Sequence, residues 1–185
     1  RTQTLIKKLP KVIAISYCTK RQFSQREKSM PSSTPAQVMR LALMHGIPVK
    51  WDIDANMAAF EKAVTLAAPH SPDVVITPEC WLDGYAAADA SSSVDRLRTV
   101  AQSPAKSPYL QRVSNTAHAQ GMLVCFGFTS NEAGRIYNAA GLWNADGTLI
   151  GIYHKTHLQA HDRQFTPGDA LPVWQTLWGP VGIMI

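Results

Sequence analysis

Residues 73–85 read Asp-Val-Val-Ile-Thr-Pro-Glu-Cys-Trp-Leu-Asp-Gly-Tyr. Val74, Val75 and Ile76 form a short continuous run of β-branched residues, the pattern of a strand buried on both faces. Pro78 has no N–H to give to a sheet ladder, so the strand is predicted to stop there. Glu79 is then held at the C-terminal end of that strand, next to Trp81 and Tyr85. A carboxylate in such a place is costly unless it is paired or has a chemical task. In open α/β sheets the C-terminal ends of strands are where ligands bind. A Glu just past a strand is more often a solvated loop residue, so the weight of Glu79 depends on the rest of the chain.

Outward from this stretch, strand and helix patterns alternate. Residues 38–45 alternate apolar side chains around Arg40 and read as the first core strand. Asp52, Asp54 and Asn56 offer capping groups. Met57, Phe60, Val64 and Ala67 follow at helical spacing, predicting a helix to about Ala68. Further helices are predicted over 94–101 and from Ser107-Pro108, a cap and first-turn pair, to Gly121. Strands are predicted over 122–128, 135–143 and 148–153, the last two joined by the hairpin signal Asn144-Ala145-Asp146-Gly147. Residues 173–177 read as a short strand. Residues 182–185 read as the start of another buried strand. Ending on Val-Gly-Ile-Met-Ile, the sequence reads as a fragment cut before its natural end.

With 185 residues, 45% hydrophobic and 17% charged, the chain has the composition of a globular domain. No apolar run approaches the roughly 18 residues of a membrane span. The formal net charge is +5, but eight of the 18 Lys and Arg lie before Met30, with the single acid Glu27. The remainder is slightly acidic, which argues against a nucleic-acid surface on the domain. Residues 1–37 are basic and lack periodicity, as a transit peptide does. They are read as a disordered leader or non-native extension, with at most a short strand over 12–16, ahead of a domain spanning 38–185. Cys18, Cys80 and Cys125 have neither a CxxC nor a zinc spacing and read as free thiols of a reducing, cytoplasmic compartment.

Lys155 follows the strand over 148–153 as Glu79 follows the strand over 74–77. If the two strands are parallel neighbours, both side chains enter one crevice, where an ammonium can steady a developing oxyanion. Here the chain resembles a known family. Pro78-Glu79 with Gly84-Tyr85, Tyr137-Asn138, Asp146-Gly147, Lys155-Thr156-His157-Leu158, Phe165-Thr166-Pro167-Gly168 and residues 179–185 look, in order and spacing, like the N-terminal half of the carbon–nitrogen hydrolase (nitrilase) superfamily. The resemblance implies a four-layer α-β-β-α sandwich, α/β in class and incomplete here. It implies Glu79 as general base and Lys155 as the stabiliser of a tetrahedral intermediate. The nucleophilic Cys would fall immediately after Ile185. Asp162 is the candidate for a second acid, where Glu is usual, and Trp81, Tyr85 and His157 are candidate pocket residues. The implied reaction is hydrolysis of a linear amide, carbamoyl compound or nitrile through a thiol acyl-enzyme, with no cofactor. The implied partners are a small-molecule substrate and further copies of the chain in a homo-oligomer, with no nucleic acid and no membrane.

Rival readings exist. Cys80 adjoins Glu79, but consecutive side chains of an extended segment point to opposite sides, so Cys80 and Cys125 are read as packed core residues. His154, His157 and His161 would share one face if helical, with Asp162 as a further ligand, and would suit a metal-dependent hydrolase. The strand pattern over 148–153 and the absence of HExxH speak against it. A non-catalytic interaction module on the same fold is the remaining alternative.

Overall fold

The β-branched run does form a strand, and its neighbours assemble around it. In this computed structural model residues 38–185 are described in full; of residues 1–37, the backbone of two strands is described, β1 (Gln3–Leu5) and β2 (Ala14–Thr19). The strand expected over 12–16 falls partly outside the described residues; β2 overlaps its second part. The large sheet continues with β3 (Arg40–His45), β4 (Val74–Ile76), β5 (Leu123–Glu132), β6 (Arg135–Trp143) and β7 (Leu149–His154). Among the described residues it has seven strands, ordered as they occur in the chain. β3, β4 and β5 are parallel to one another. β5, β6 and β7 form an antiparallel meander, as do β1, β2 and β3.

The parallel pairs require crossovers, and two helices supply them. α1 (Ile53–Ala67) starts where Asp52 accepts a hydrogen bond from the Ala55 N–H. α3 (Pro108–Gln120) starts under the Ser107 hydroxyl, which accepts from the Leu110 N–H, and ends at Gly121 with φ 61°. A shorter helix, α2 (Val94–Val100), precedes it. Met57, Phe60, Ala63, Val64 and Ala67 of α1, with Leu110, Val113 and Ala117 of α3, pack on one face of the sheet against Val75, Val124, Phe126 and Trp143. Phe60 meets Phe126 edge-on at 4.9 Å between ring centroids. Full burial of each such aromatic stabilises the fold by about 1.5–3 kcal/mol.

The opposite face carries Val74, Leu123 and Leu142, covered by Trp174, Trp178, Val181 and Ile183. The last four come from the hairpin of β8 (Val173–Thr176) and β9 (Gly179–Gly182) and the residue after it. Trp174 lies so close over Gly151 of β7 that a side chain there would overlap its ring. Helix layer, large sheet and hairpin thus stack in the α/β order expected. One sequence expectation fails here. Residues 182–185 do not form a buried strand: β9 ends at Gly182, and Met184 is 82% exposed. The apolar residues are used one step earlier, where Gly179 (φ 91°) closes a tight turn that pairs β9 with β8.

Candidate active site

Glu79 reaches its position through a turn pinned to β5. Past Ile76 the Thr77 N–H still donates to the Cys125 carbonyl at 3.0 Å. The Thr77 hydroxyl oxygen accepts from the Gly127 N–H at 2.9 Å, and the Leu82 N–H donates to the Gly127 carbonyl at 3.2 Å. A Cβ on Gly127 would lie 2.5 Å from the Pro78 oxygen and 2.9 Å from the Cys80 nitrogen, so only glycine admits the turn this close. Asp83, fully buried, ties the far side of the turn. Its carboxylate accepts from the Ala86 N–H at 2.9 Å and from both the N–H and the hydroxyl of Thr129 at 3.1 and 2.9 Å. Burial pushes the Asp83 carboxyl up to about 6, against the pull of these neutral donors.

Lys155 arrives from the other direction. Its N–H donates to the Asn138 carbonyl at 2.9 Å, extending the β6–β7 ladder by one bond. β4 and β7 are not neighbours: β5 and β6 lie between them. They do run in the same sense, so both end at one edge of the sheet, and the Gly127 turn carries Glu79 across the gap. Lys155 Nζ donates to Glu79 Oε1 at 2.7 Å and stands 2.9 Å from Asp162 Oδ2. Asn138 Nδ2 donates to the same Glu79 oxygen at 2.6 Å. Glu79 Oε2 makes no hydrogen bond among the described residues.

Asp162 is fully buried in the short 3₁₀ turn Ala160–Asp162. Its Oδ1 accepts from the Tyr85 hydroxyl at 2.8 Å and its Oδ2 from the Gln159 N–H at 3.2 Å. Burial alone would raise its carboxyl; the bonds from Lys155 and Tyr85 outweigh that and hold it below the usual carboxylate range. Burial likewise opposes the charge of Lys155, which is 4% exposed, but hydrogen bonds and attraction from Glu79 and Asp162 win and raise its ammonium above the ordinary lysine value. Burial, and then the bond to Asp162, push the Tyr85 hydroxyl far up, so it stays a proton donor.

The structure therefore brings Glu79, Lys155, Asp162 and Tyr85 together. It does not bring Trp81 or His157 with them. Trp81 is 2% exposed in the α1–sheet core, its Nε1 donating to the Asn56 carbonyl at 2.9 Å. His157 is exposed, and its ring bonds to the hydroxyl of the adjacent Thr156. The three histidines turn to separate partners: His154 to Glu132 at 2.8 Å, His157 to Thr156, His161 to the Tyr85 hydroxyl at 2.9 Å. Among the described residues no group of three or more His, Cys, Asp or Glu is placed to hold a metal ion. Cys80 has φ 46°, so the extended-chain argument for it fails, but it is fully buried. Burial, reinforced by Asp83 and Glu79, raises its thiol well above the ordinary value, and burial lifts Cys125 to about 11. Neither is a ready thiolate. Sequence reasoning assigned no part to Asn138 or Asp83. The signal for Asn138 was one amide in a buried strand, between Tyr137 and Ala139.

A carboxylate with one oxygen bound and one open, beside a buried ammonium held by two acids, is a proton acceptor next to a fixed positive charge. The chain belongs to the carbon–nitrogen hydrolase family, whose model matches residues 40–185. It is similar to a citrullinase from Francisella tularensis, 27% identical over 137 residues, covering 70% of this chain and 46% of that protein. It is similar to an arylacetonitrilase from Hypocrea virens, 29% identical over 140 residues, covering 74% of this chain and 42% of that protein. Its fold matches a mutant amidase from Nesterenkonia sp. AN1 in which acrylamide has added to the active site cysteine. That match has a TM-score of 0.65 at 19% identity and covers 79% of this chain and 56% of the amidase. The chain thus spans about half the length of the proteins it matches. No helix of the described residues is long and apolar enough to cross a membrane.

Proposed function

We propose that the protein to which this chain belongs hydrolyses a non-peptide carbon–nitrogen bond, in a linear amide, carbamoyl compound or nitrile, through a thiol acyl-enzyme. The observation that carries this reading is the contact between Glu79 and Lys155, 76 residues apart in sequence and 2.7 Å apart in space, in a chain of the carbon–nitrogen hydrolase family. Glu79 takes the thiol proton and later activates water. Lys155 faces the tetrahedral oxygen or nitrogen with its charge. Asp162 is the second acid, and it keeps Lys155 charged. On this reading the nucleophile is a Cys expected immediately after Ile185; the buried Cys80 and Cys125 are poor substitutes. The names of the relatives, a citrullinase and an arylacetonitrilase, support both carbamoyl and nitrile chemistry within this class. Self-association of the full-length protein, which the family resemblance implies, is measured by its sedimentation.

The test uses the full-length protein. Glu79→Gln and Lys155→Ala should each lower turnover of amide and nitrile substrates by at least about a thousandfold, in the range of losses seen on removing one catalytic group. Circular dichroism of each variant should match the wild type. Near-normal turnover in either folded variant would defeat the assignment.

A further inference from the structure

Asn138 touches both members of the Glu79–Lys155 pair. Its side-chain Nδ2 donates to Glu79 Oε1, and its backbone carbonyl accepts from the Lys155 N–H. It is 1% exposed, and it sits on β6 opposite Thr129, whose side chain binds Asp83 under the Glu79 turn. Its own Oδ1 is buried without a hydrogen-bond partner among the described residues. An unsatisfied buried acceptor is costly, and an amide escapes such a cost by turning over when it can. Asn138 cannot turn over while Glu79 is ionised, because Oδ1 would then face a carboxylate oxygen at 2.6 Å. The amide orientation is therefore fixed by its bond to Glu79 Oε1.

We propose that Asn138 is a positioning residue for the general base, a step that rests on the role given to Glu79 above. Asn138 and Lys155 together occupy Oε1 with two donors, which fixes the carboxylate plane and leaves Oε2 as its open oxygen. The proton that Glu79 handles is confined to Oε2: it leaves the thiol sulfur as thiolate forms, resides on Oε2, and passes to the departing nitrogen as the carbon–nitrogen bond breaks.

The test is the split between kcat and KM for the full-length protein. Asn138→Leu keeps the volume and removes the donor. Its kcat should fall about 10- to 100-fold, the worth of one hydrogen bond to a charged group. KM should change less than about twofold, because Asn138 orients the base and does not hold the substrate. Asn138→Asp keeps the shape but sets a second carboxyl against Glu79, so its kcat should fall at least as far as that of the Leu variant. Thermal melts establish that each variant folds. A folded Leu or Asp variant with wild-type kcat, or with its loss in KM instead of kcat, overturns the inference. Failure of both to fold also overturns it, since Asn138 would then serve the fold alone. Glu79→Gln, measured alongside, separates the two levels. If it retains turnover, the base assignment itself is lost; if it is inactive while the Asn138 variants keep the wild-type kcat, only the role of Asn138 is lost.

Discussion

Asp83 and Asp162 are both removed from solvent, on the two loops that frame the candidate site, yet they are driven in opposite directions. Asp83 has three donors and all are neutral: two backbone N–H groups and a hydroxyl. Burial wins there, and the carboxyl rises to about 6. Asp162 also meets neutral donors, from Tyr85 and Gln159, but it has the ammonium of Lys155 at 2.9 Å as well. There the cation wins, and the carboxyl falls. Neutral hydrogen bonds offset only part of the cost of burying a carboxylate; a fixed opposite charge reverses the sign. The first loop is a clamp made from turn geometry, while the second stores charge for the site.

Removing the cation should erase the difference, with the largest effect of any single change here. Lys155→Met keeps the length of the side chain and leaves Asp162 buried without its ammonium, the His161 ring at 3.8 Å being the nearest remaining basic group. Breaking a buried pair from one side costs about 3–5 kcal/mol. Urea denaturation of Lys155→Met at pH 7 should show a loss of that size. The loss should shrink toward pH 4, as Asp162, now without its cation, takes up a proton in the way Asp83 does. A loss that is the same at both pH values would mean that the charge of Lys155 is not what lowers Asp162.

The same contrast shows what could be read from the sequence. The strand at 74–76, the helices under Asp52 and Ser107 and the hairpin at 144–147 follow local rules of periodicity, capping and turn chemistry, and they lie within two or three residues of where those rules put them. Glu79 and Lys155 were legible because each ends a strand pattern and because the motifs that resemble the family keep their order. Their partners were not. Asp83 is one acid in an apolar turn, and nothing in the sequence says that Thr129, 46 residues on, will bind it. Asn138 is a polar exception in an apolar strand, a signal that says buried amide but names no partner. Histidines at 154, 157 and 161 would form a cluster only on a helix; the chain there leaves a strand and enters a loop, as the strand pattern over 148–153 indicated, so each ring turns its own way. Adjacency of the two strands is not needed for their ends to meet. Equal ends of β4 and β7 require the same direction, not neighbouring places, and only Gly127 shows how the gap is crossed.

Neutralising Asp162 in place gives a smaller effect and sharpens the comparison from the acid's side. In Asp162→Asn the Tyr85 hydroxyl still has an oxygen to meet, but Lys155 keeps a single counter-charge, Glu79. The lost interaction is a hydrogen bond between charged groups, worth about 1.5–3 kcal/mol. Denaturation at pH 7 should show a loss in that range, below that of Lys155→Met. The sign in pH is fixed by the lowered carboxyl. Asp162 contributes stability above the unfolded carboxylate value of about 4 and loses it as pH falls through its own lower value. Asp162→Asn should therefore approach the wild type in stability at the acid end. A variant as destabilised as Lys155→Met would show that Asp162, rather than the cation, organises the second loop.

The smallest expected effect belongs to Asp83, and its sign is opposite. Its folded value of about 6 lies above the unfolded value of about 4. Between those values the folded chain holds more of this proton than the unfolded chain does. Stability from this group therefore rises as pH falls from 7 toward 5 and levels off near 4, whereas the contribution of Asp162 is lost only below that. Over pH 7 to 5 the gain from Asp83 is about 1 kcal/mol. Asp83→Asn cannot titrate, and its amide nitrogen would face either the Ala86 N–H or the Thr129 donors. It should be less stable than the wild type at both pH values, and the gap should be about 1 kcal/mol wider at pH 5 than at pH 7. Chemical denaturation of the two proteins at the two pH values measures that gap. If it narrows instead, the buried carboxylate of Asp83 is held by a positive charge, and the two loops are built alike.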